Sequence, residues 1–292
     1  MTETDKNRAR FMALHLRKNS FVIPNPWDVG SAKMMAALGA EALATTSAGY
    51  AFSTGKTSAV GEISRTEALS HAQELVKATH LPVSADLENG YGRDPEEVVK
   101  TIEQAIEIGL SGCTIEDTSG DSAAPLYDRS LAIERIAAAV ETAKRLDVNF
   151  VLTARAENYL FGRRDLDDTL ARLKGYEAVG ADVLYAPGLP DLATISEVCK
   201  SVDKPVNVVA GIGLKGVTFN QLQKAGVKRI SIGSALSRVA FGAMVTATNH
   251  ILQTGSFEDF ETAASFSSLD SLIRKADGYR KHWEENKEGW GC

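Results

Sequence analysis

The sequence predicts a parallel α/β barrel, a TIM (β/α)8 fold with extra C-terminal helices. Three observations carry that expectation. Eight short runs rich in Val, Ile, Leu and Ala alternate with longer helical patterns. The runs are continuously apolar rather than alternating, as in a parallel sheet covered on both faces. The eight units fill about 230 residues, the size of one barrel. A doubly wound open sheet is the competing architecture.

Taken in order, the first strand is expected at 21–28 and a helix at 31–38, stopped by Gly39. The second strand, 41–47, runs into a Gly/Ser/Thr-rich stretch. A helix at about 64–79 follows, and Ser64 with Glu67 reads as its capping box. Strand 81–88 precedes helix 94–108, with Pro95 in its first turn. Strand 112–117 precedes helix 128–146, and strand 149–156 precedes helix 165–179, ended by Gly180. Strand 182–187 leads to helix 191–202. Strand 204–211 leads to a short helix, 218–225, ended by Gly226. Strand 228–234 leads to helix 236–253. The tail, 256–292, carries Phe257, Phe260, Phe266, Leu269, Leu272 and Ile273, which suggests one or two helices with an apolar stripe. No linker composition sets it apart. The expectation is a single domain, 1–292, with the barrel at about 21–253 and the helical extension at 256–292.

Composition narrows the function. The chain has 292 residues, 44% hydrophobic and 24% charged, which fits a globular protein with ample core. Its net charge is −6 and it has no basic run, so a nucleic-acid partner is not expected. No run of ~18 apolar residues occurs, so no membrane span is expected. Residues 1–10 are polar and lack the apolar stretch of a signal peptide. Cys113, Cys199 and Cys292 are far apart and form no CxxC pair. A reducing cytoplasm is the expected location.

A barrel carries its chemistry at the carboxyl ends of its strands. Asp86 and Glu88 lie two apart on the third strand, so both face one way, and Glu116 sits at the matching level of the next strand. Three such carboxylates repel unless a cation resolves the conflict. An oxygen-only set selects Mg²⁺ or Mn²⁺ rather than zinc, with some acids reached through water. The competing reading is that these acids cap helices or pair with basic side chains. Asp117 and Glu157 are read as facing away, in supporting roles. Arg155, at the end of strand five, stays charged and can grip a carboxylate or steady an enolate, or it can pair with Glu116 or Glu157. Ser47, Ala48, Gly49 and Tyr50 form a turn after strand two whose N–H groups and hydroxyl suit a substrate carboxylate. Asn207, on strand seven, is a further substrate-binding candidate.

Several patterns carry no assignment. Gly211-Ile-Gly213-Leu-Lys-Gly216 matches GxGxxG, but the next strand ends in Ile232-Gly233-Ser234 without the acid that a dinucleotide site needs. Those glycines instead suit phosphate, as loops after strands seven and eight often do. His15, His71, His80, His250 and His282 fall on helices or their flanks, and Cys113 starts strand four below the mouth.

The run Asn25-Pro-Trp-Asp28 with Ser31-Ala32, then Thr45-Thr-Ser47-Ala-Gly49, Ser84-Ala-Asp86-Leu-Glu88-Asn-Gly90-Tyr-Gly92, Thr114-Ile-Glu116-Asp117 and Thr153-Ala-Arg155, resembles the isocitrate lyase/phosphoenolpyruvate mutase superfamily. The resemblance spans residues 21–234 in order. It implies a Mg²⁺-dependent barrel acting on 2-oxo or 2-hydroxy carboxylic acids, making or breaking a C–C or P–C bond beside an enolate. It implies metal-associated roles for Asp86, Glu88 and Glu116. It also implies substrate contacts for Arg155 and for Ser47 with Gly49. It implies a homotetramer, a dimer of helix-swapped dimers. The loop 118–128 departs from the pattern: it has no Cys, His or Lys, and no Asn. Lys56-Thr57-Ser58 stands where relatives often place an acid.

The expected function is therefore a Mg-dependent carbon–carbon lyase of a small carboxylic acid. Arg155, Glu116 and Tyr50 are its catalytic candidates, and Tyr50, Tyr127 or water the proton donor. The alternatives are P–C chemistry on phosphoenolpyruvate or phosphonopyruvate at the same site, a phosphosugar barrel using the late glycines, or a degenerate barrel that binds a metabolite without turnover. Loop 118–128 is rich in Gly, Ser and Ala, which suits a mobile lid.

Overall fold

The computed structural model describes residues 2–211 and 214–285, with side chains described as far as Tyr279. Gly213 of the glycine motif, the His282 side chain and Cys292 lie outside the described residues. The elements run α1 (Glu3–Leu16), β1 (Phe21–Ile23), α2 (Val29–Ala37), β2 (Leu43–Ala44), α3 (Ser47–Ser53), α4 (Arg65–Ala78), β3 (Val83–Asp86), α5 (Pro95–Glu107), β4 (Gly112–Glu116) and α6 (Arg129–Arg145). They continue through β5 (Val151–Arg155), α7 (Leu166–Ala178), β6 (Val183–Tyr185), α8 (Leu192–Ser201), β7 (Val206–Val209), α9 (Phe219–Lys224), β8 (Arg229–Ser231) and α10 (Ala235–Thr254). A 3-10 turn (Glu258–Thr262) and α11 (Phe266–Glu285) complete the chain.

All eight strands are parallel, in the order β1-β8-β7-β6-β5-β4-β3-β2. The remaining seam, between β1 and β2, is spanned by the Ala44 N–H donating to Pro24 O at 3.1 Å. The sheet is thus a nearly closed TIM barrel. Asn25 reinforces the seam. Its amide donates to Thr45 O, and its carbonyl accepts the N–H groups of Ile232 and Gly233.

The strands are shorter than the apolar runs predict, for local reasons. Pro24 has no N–H to continue a ladder, so β1 stops at Ile23. Asp28, expected inside that strand, instead caps α2, and its carboxylate accepts the Ser31 N–H at 2.6 Å. The expected capping box of α4 forms, with Ser64 and Glu67 each accepting the other's N–H. Gly112 is required on β4 by close approach, since a Cβ there would meet Val151 O at 2.4 Å.

Two elements were not predicted. The polar start folds as α1, capped by Thr2 and Asp5. Its Phe11 and Leu14 close the bottom of the barrel against Phe21, Ile23, Val151 and Val183. The expected turn after strand two is the first turn of a helix, α3, capped by Thr46. The larger core lies between the strands and their helices and includes Cys113, fully buried as expected. α11 docks on α2 through the Lys33–Asp277 ion pair and the buried Ala276. No helix among the described residues is long and apolar enough to cross a membrane.

Candidate active site

The carboxyl ends of the strands open on a cavity of about 290 Å³. Asp86, Glu88, Glu116, Arg155 and Glu157 all line it, with Ser47, Ala48 and Tyr185. Arg155 is the only cation among the lining residues. Its Nη1 lies 3.2 Å from Glu116 Oε2 and 3.9 Å from Asp86 Oδ1, and its Nε pairs with Glu157. The guanidinium sits 5.1 Å over the Tyr185 ring. Burial works against its charge, but Glu157 and Glu116 outweigh that and hold it well above the ordinary range. The ion-pair alternative for Arg155 is therefore realised, with both Glu116 and Glu157. It is ion-paired, and it faces the cavity.

Asp86 is oriented from its own backbone outward. Its N–H donates to Thr45 Oγ1, and its Oδ2 accepts from the Ser47 hydroxyl at 2.8 Å and the Ser47 N–H at 3.2 Å. Its Oδ1 is buried with no hydrogen-bond partner among the described residues. Glu88 reaches the cavity differently from the expectation. It lies beyond the end of β3 with φ +46°, so a left-handed turn, not strand alternation, aims it. Its carboxylate accepts the Gly61 N–H at 3.0 Å. Burial raises its pKa to about 7, against the pull of that bond and of Arg155. Glu116 is buried on β4, and burial pushes its carboxyl well above the usual range despite Arg155.

Glu157 corrects its expected orientation. It lies just beyond the end of β5, lines the cavity and pairs with Arg155 Nε. Asp117 does face away, as expected. It is buried and accepts from Arg172, from the Tyr176 hydroxyl and from the Glu157 N–H.

The proton-donor candidates do not reach the cavity. Tyr50 stacks on His71 with ring centroids 3.9 Å apart. The Tyr127 ring lies under Arg135, with its hydroxyl toward Gly92 O. The turn at Ser47, Ala48 and Gly49 is partly used internally: the Ser47 N–H serves Asp86 and the Gly49 N–H serves Thr46 Oγ1. Asn207 lies lower, inside the barrel, bonded to Ser231 and Arg229. The Gly233 N–H is engaged by Asn25, so that loop does not present it to a phosphate. No described histidine lines the cavity. Loop 118–128 folds on itself through a Thr118–Leu126 bridge. Tyr185 was missed by sequence reasoning, though its place at a strand end was a usable signal.

The acids do not converge as a three-carboxylate coordination shell: no group of three His, Cys, Asp or Glu side chains among the described residues could hold a metal ion directly. Arg155 stands between them. What fits a hard divalent cation is narrower. Asp86 offers a buried oxygen without a hydrogen-bond partner, and Glu88 and Glu116 line the same cavity, where they would hold a hard cation through water.

Comparison with known proteins agrees with this frame. The family profile of phosphoenolpyruvate phosphomutase matches residues 11–252. An uncharacterised protein of Mycobacterium tuberculosis is 31% identical over 229 residues, 77% of this chain and 81% of that one. An oxaloacetate decarboxylase of a Marinomonas species is 27% identical over 219 residues, 71% and 73% of the two chains. The crystal structure of a Burkholderia cenocepacia protein described as a lyase/mutase is 48% identical, covers 93% of this chain and 96% of that one, and superposes with a TM-score of 0.90. The profile match over residues 11–252, most of the barrel, places the chain in the phosphoenolpyruvate phosphomutase family.

Proposed function

We propose that the protein is a carbon–carbon lyase that cleaves or decarboxylates a small 2-oxo or 2-hydroxy carboxylic acid through an enolate. The observation that carries this reading is Arg155, held by acids on two sides next to an Asp86 oxygen that has no hydrogen-bond partner, on one cavity. Arg155 cannot rotate away, because Glu157 fixes its Nε and Tyr185 supports its face. A guanidinium so fixed binds a carboxylate, or the oxygen on which charge develops, without reorganising. Ser47 keeps Asp86 turned to the same volume. Val60, Leu160, Phe161 and Pro187 form an apolar part of the same wall.

Magnesium or manganese, held at Asp86 with Glu88 and Glu116 through water, would supply a Lewis acid for the oxygen next to the substrate carboxylate. Carboxylate chemistry is favoured over phosphonate chemistry by charge. One cation against four acids lines the cavity, which suits a monoanionic group better than a phosphoryl dianion.

The test is a panel of oxaloacetate and branched 2-hydroxy dicarboxylates assayed for released oxo acid. Phosphoenolpyruvate and phosphonopyruvate are followed in parallel by ³¹P spectra. Metal-dependent release from the first set is expected. Asp86→Ala should lower kcat/KM by roughly 100-fold or more, as loss of a charge-stabilising group does. Full turnover by that variant on the same substrate would sink the reading.

We also infer a homotetramer of helix-swapped dimers. α10 buries only Ser237 against its own chain and leaves Val239 and Leu252 68% and 80% exposed. An apolar face of that extent supports cover by a second copy.

A further inference from the structure

Beneath the mouth lies a second, smaller cavity of about 60 Å³ inside the barrel. Asp86, Arg155 and Tyr185 line both cavities, so they form the partition between them. Asn207, Arg229 and Ser231 line the lower one.

Arg229 is the unusual member. It is only 3% exposed, and its side chain projects inward from β8. Its Nε donates to Asn207 Oδ1 at 2.8 Å, while Nη1 has no hydrogen-bond partner among the described residues. No carboxylate among the described residues makes an ion pair with it. Burial pushes its guanidinium down to about 10, with only Tyr185 and Cys113 favouring its charge. A buried guanidinium without an anionic partner is strongly disfavoured. It persists where an anion completes it. The lining of the lower cavity carries two guanidinium groups, Arg155 and Arg229, against one carboxylate, Asp86. That balance is the reverse of the mouth above. Asn207 is held in turn by Ser231, so the donors are fixed before a ligand arrives.

We propose that Arg229, oriented by Asn207, is an anion subsite inside the barrel that takes one small oxyanion of the carboxylate class below Asp86 and Arg155. The oxyanion is either free, as formate or bicarbonate, or the distal carboxylate of a dicarboxylic substrate. Assignment to a substrate rests on the function proposed above, whereas the subsite itself does not.

The test uses the full chain, without metal and without turnover. Thermal unfolding is followed against sodium formate at constant ionic strength. Wild type should show a saturable rise of roughly 2–4 °C, the shift that a bound ligand worth about 1 kcal/mol gives a chain of this size. Arg229→Met should abolish that rise. Arg229→Lys, which keeps the charge if the Met variant fails to fold, should weaken it. A bromide soak of wild-type crystals should place an anomalous peak beside Nη1. Displacement of formate by malonate assigns the subsite to a substrate carboxylate, and additive stabilisation assigns it to a free oxyanion. No saturable rise in wild type, a rise unchanged in both variants, or no anion beside Nη1 overturns the proposal. Because turnover is not read, such a failure leaves the Asp86 test of the lyase reading independent.

Discussion

At the scale of single residues, the site depends on a layer of buried polar groups behind it. Asp117 ties Arg172, Tyr176 and the backbone of Glu157 together, and Glu157 in turn fixes Arg155. Removing one neutral donor should cost little. Tyr176→Phe is expected to lose about 1 kcal/mol in urea unfolding while keeping kcat. Asp117→Ala leaves Arg172 buried without its carboxylate, and should cost roughly 3–5 kcal/mol and raise KM as Arg155 loosens. Equal, small losses for both variants would show that the network carries no positional load. The strand-end acids and Arg155 were legible in the sequence because parity and position suffice for them. Glu88 arrived at the cavity through a positive φ that no parity rule predicts. Tyr50 stands off the cavity because the chain coils into α3 at Ser47 and turns its ring onto His71.

At the scale of elements, α1 shows how a polar segment is recruited. Its start, Glu3 to Arg8, is wholly polar, so no apolar stripe runs its length. Thr2 and Asp5 cap its start, and Phe11 and Leu14 fill the barrel floor. His15 goes in with them, edge-on to Phe11 and Phe21, its Nδ1–H donating to Phe11 O at 2.8 Å. Burial lowers its pKa from 6.5 to about 3, helped by the nearby Arg229. Above pH 6.5 the ring is neutral in both states, and its packing is fully available. Below it, the unfolded chain takes a proton that the folded one refuses, so stability falls as pH drops toward 3. The slope from this group is about 1.4 kcal/mol per pH unit. His15→Leu should remove that contribution between pH 6 and 4, read as a flatter dependence of the urea midpoint on pH. An unchanged dependence would mean the ring titrates normally.

At the scale of the whole molecule, α10 is out of balance with the rest. The first seven strands are each followed by a helix with residues buried against the barrel, whereas α10 leaves Val239, Met244, Val245 and Leu252 exposed. Met244→Asp with Val245→Asp should shift the sedimentation mass from an oligomer to lower mass at micromolar concentration, with little change in the far-UV spectrum of the barrel. A wild-type protein that sediments as a monomer would refute the tetramer. The eight βα units, the capping box at Ser64, and the acids and arginine at the strand ends were determined by the sequence alone. Each rests on local chemistry: apolar run length, a cap residue, a strand-end position. Only the tertiary structure decided that Arg155 stands among its acids, ion-paired with Glu116 and Glu157. It alone placed Glu157 at the mouth and left Arg229, in the lower cavity, without a carboxylate ion pair among the described residues. Those outcomes depend on distances across the barrel between strands far apart in the chain, which no local pattern encodes.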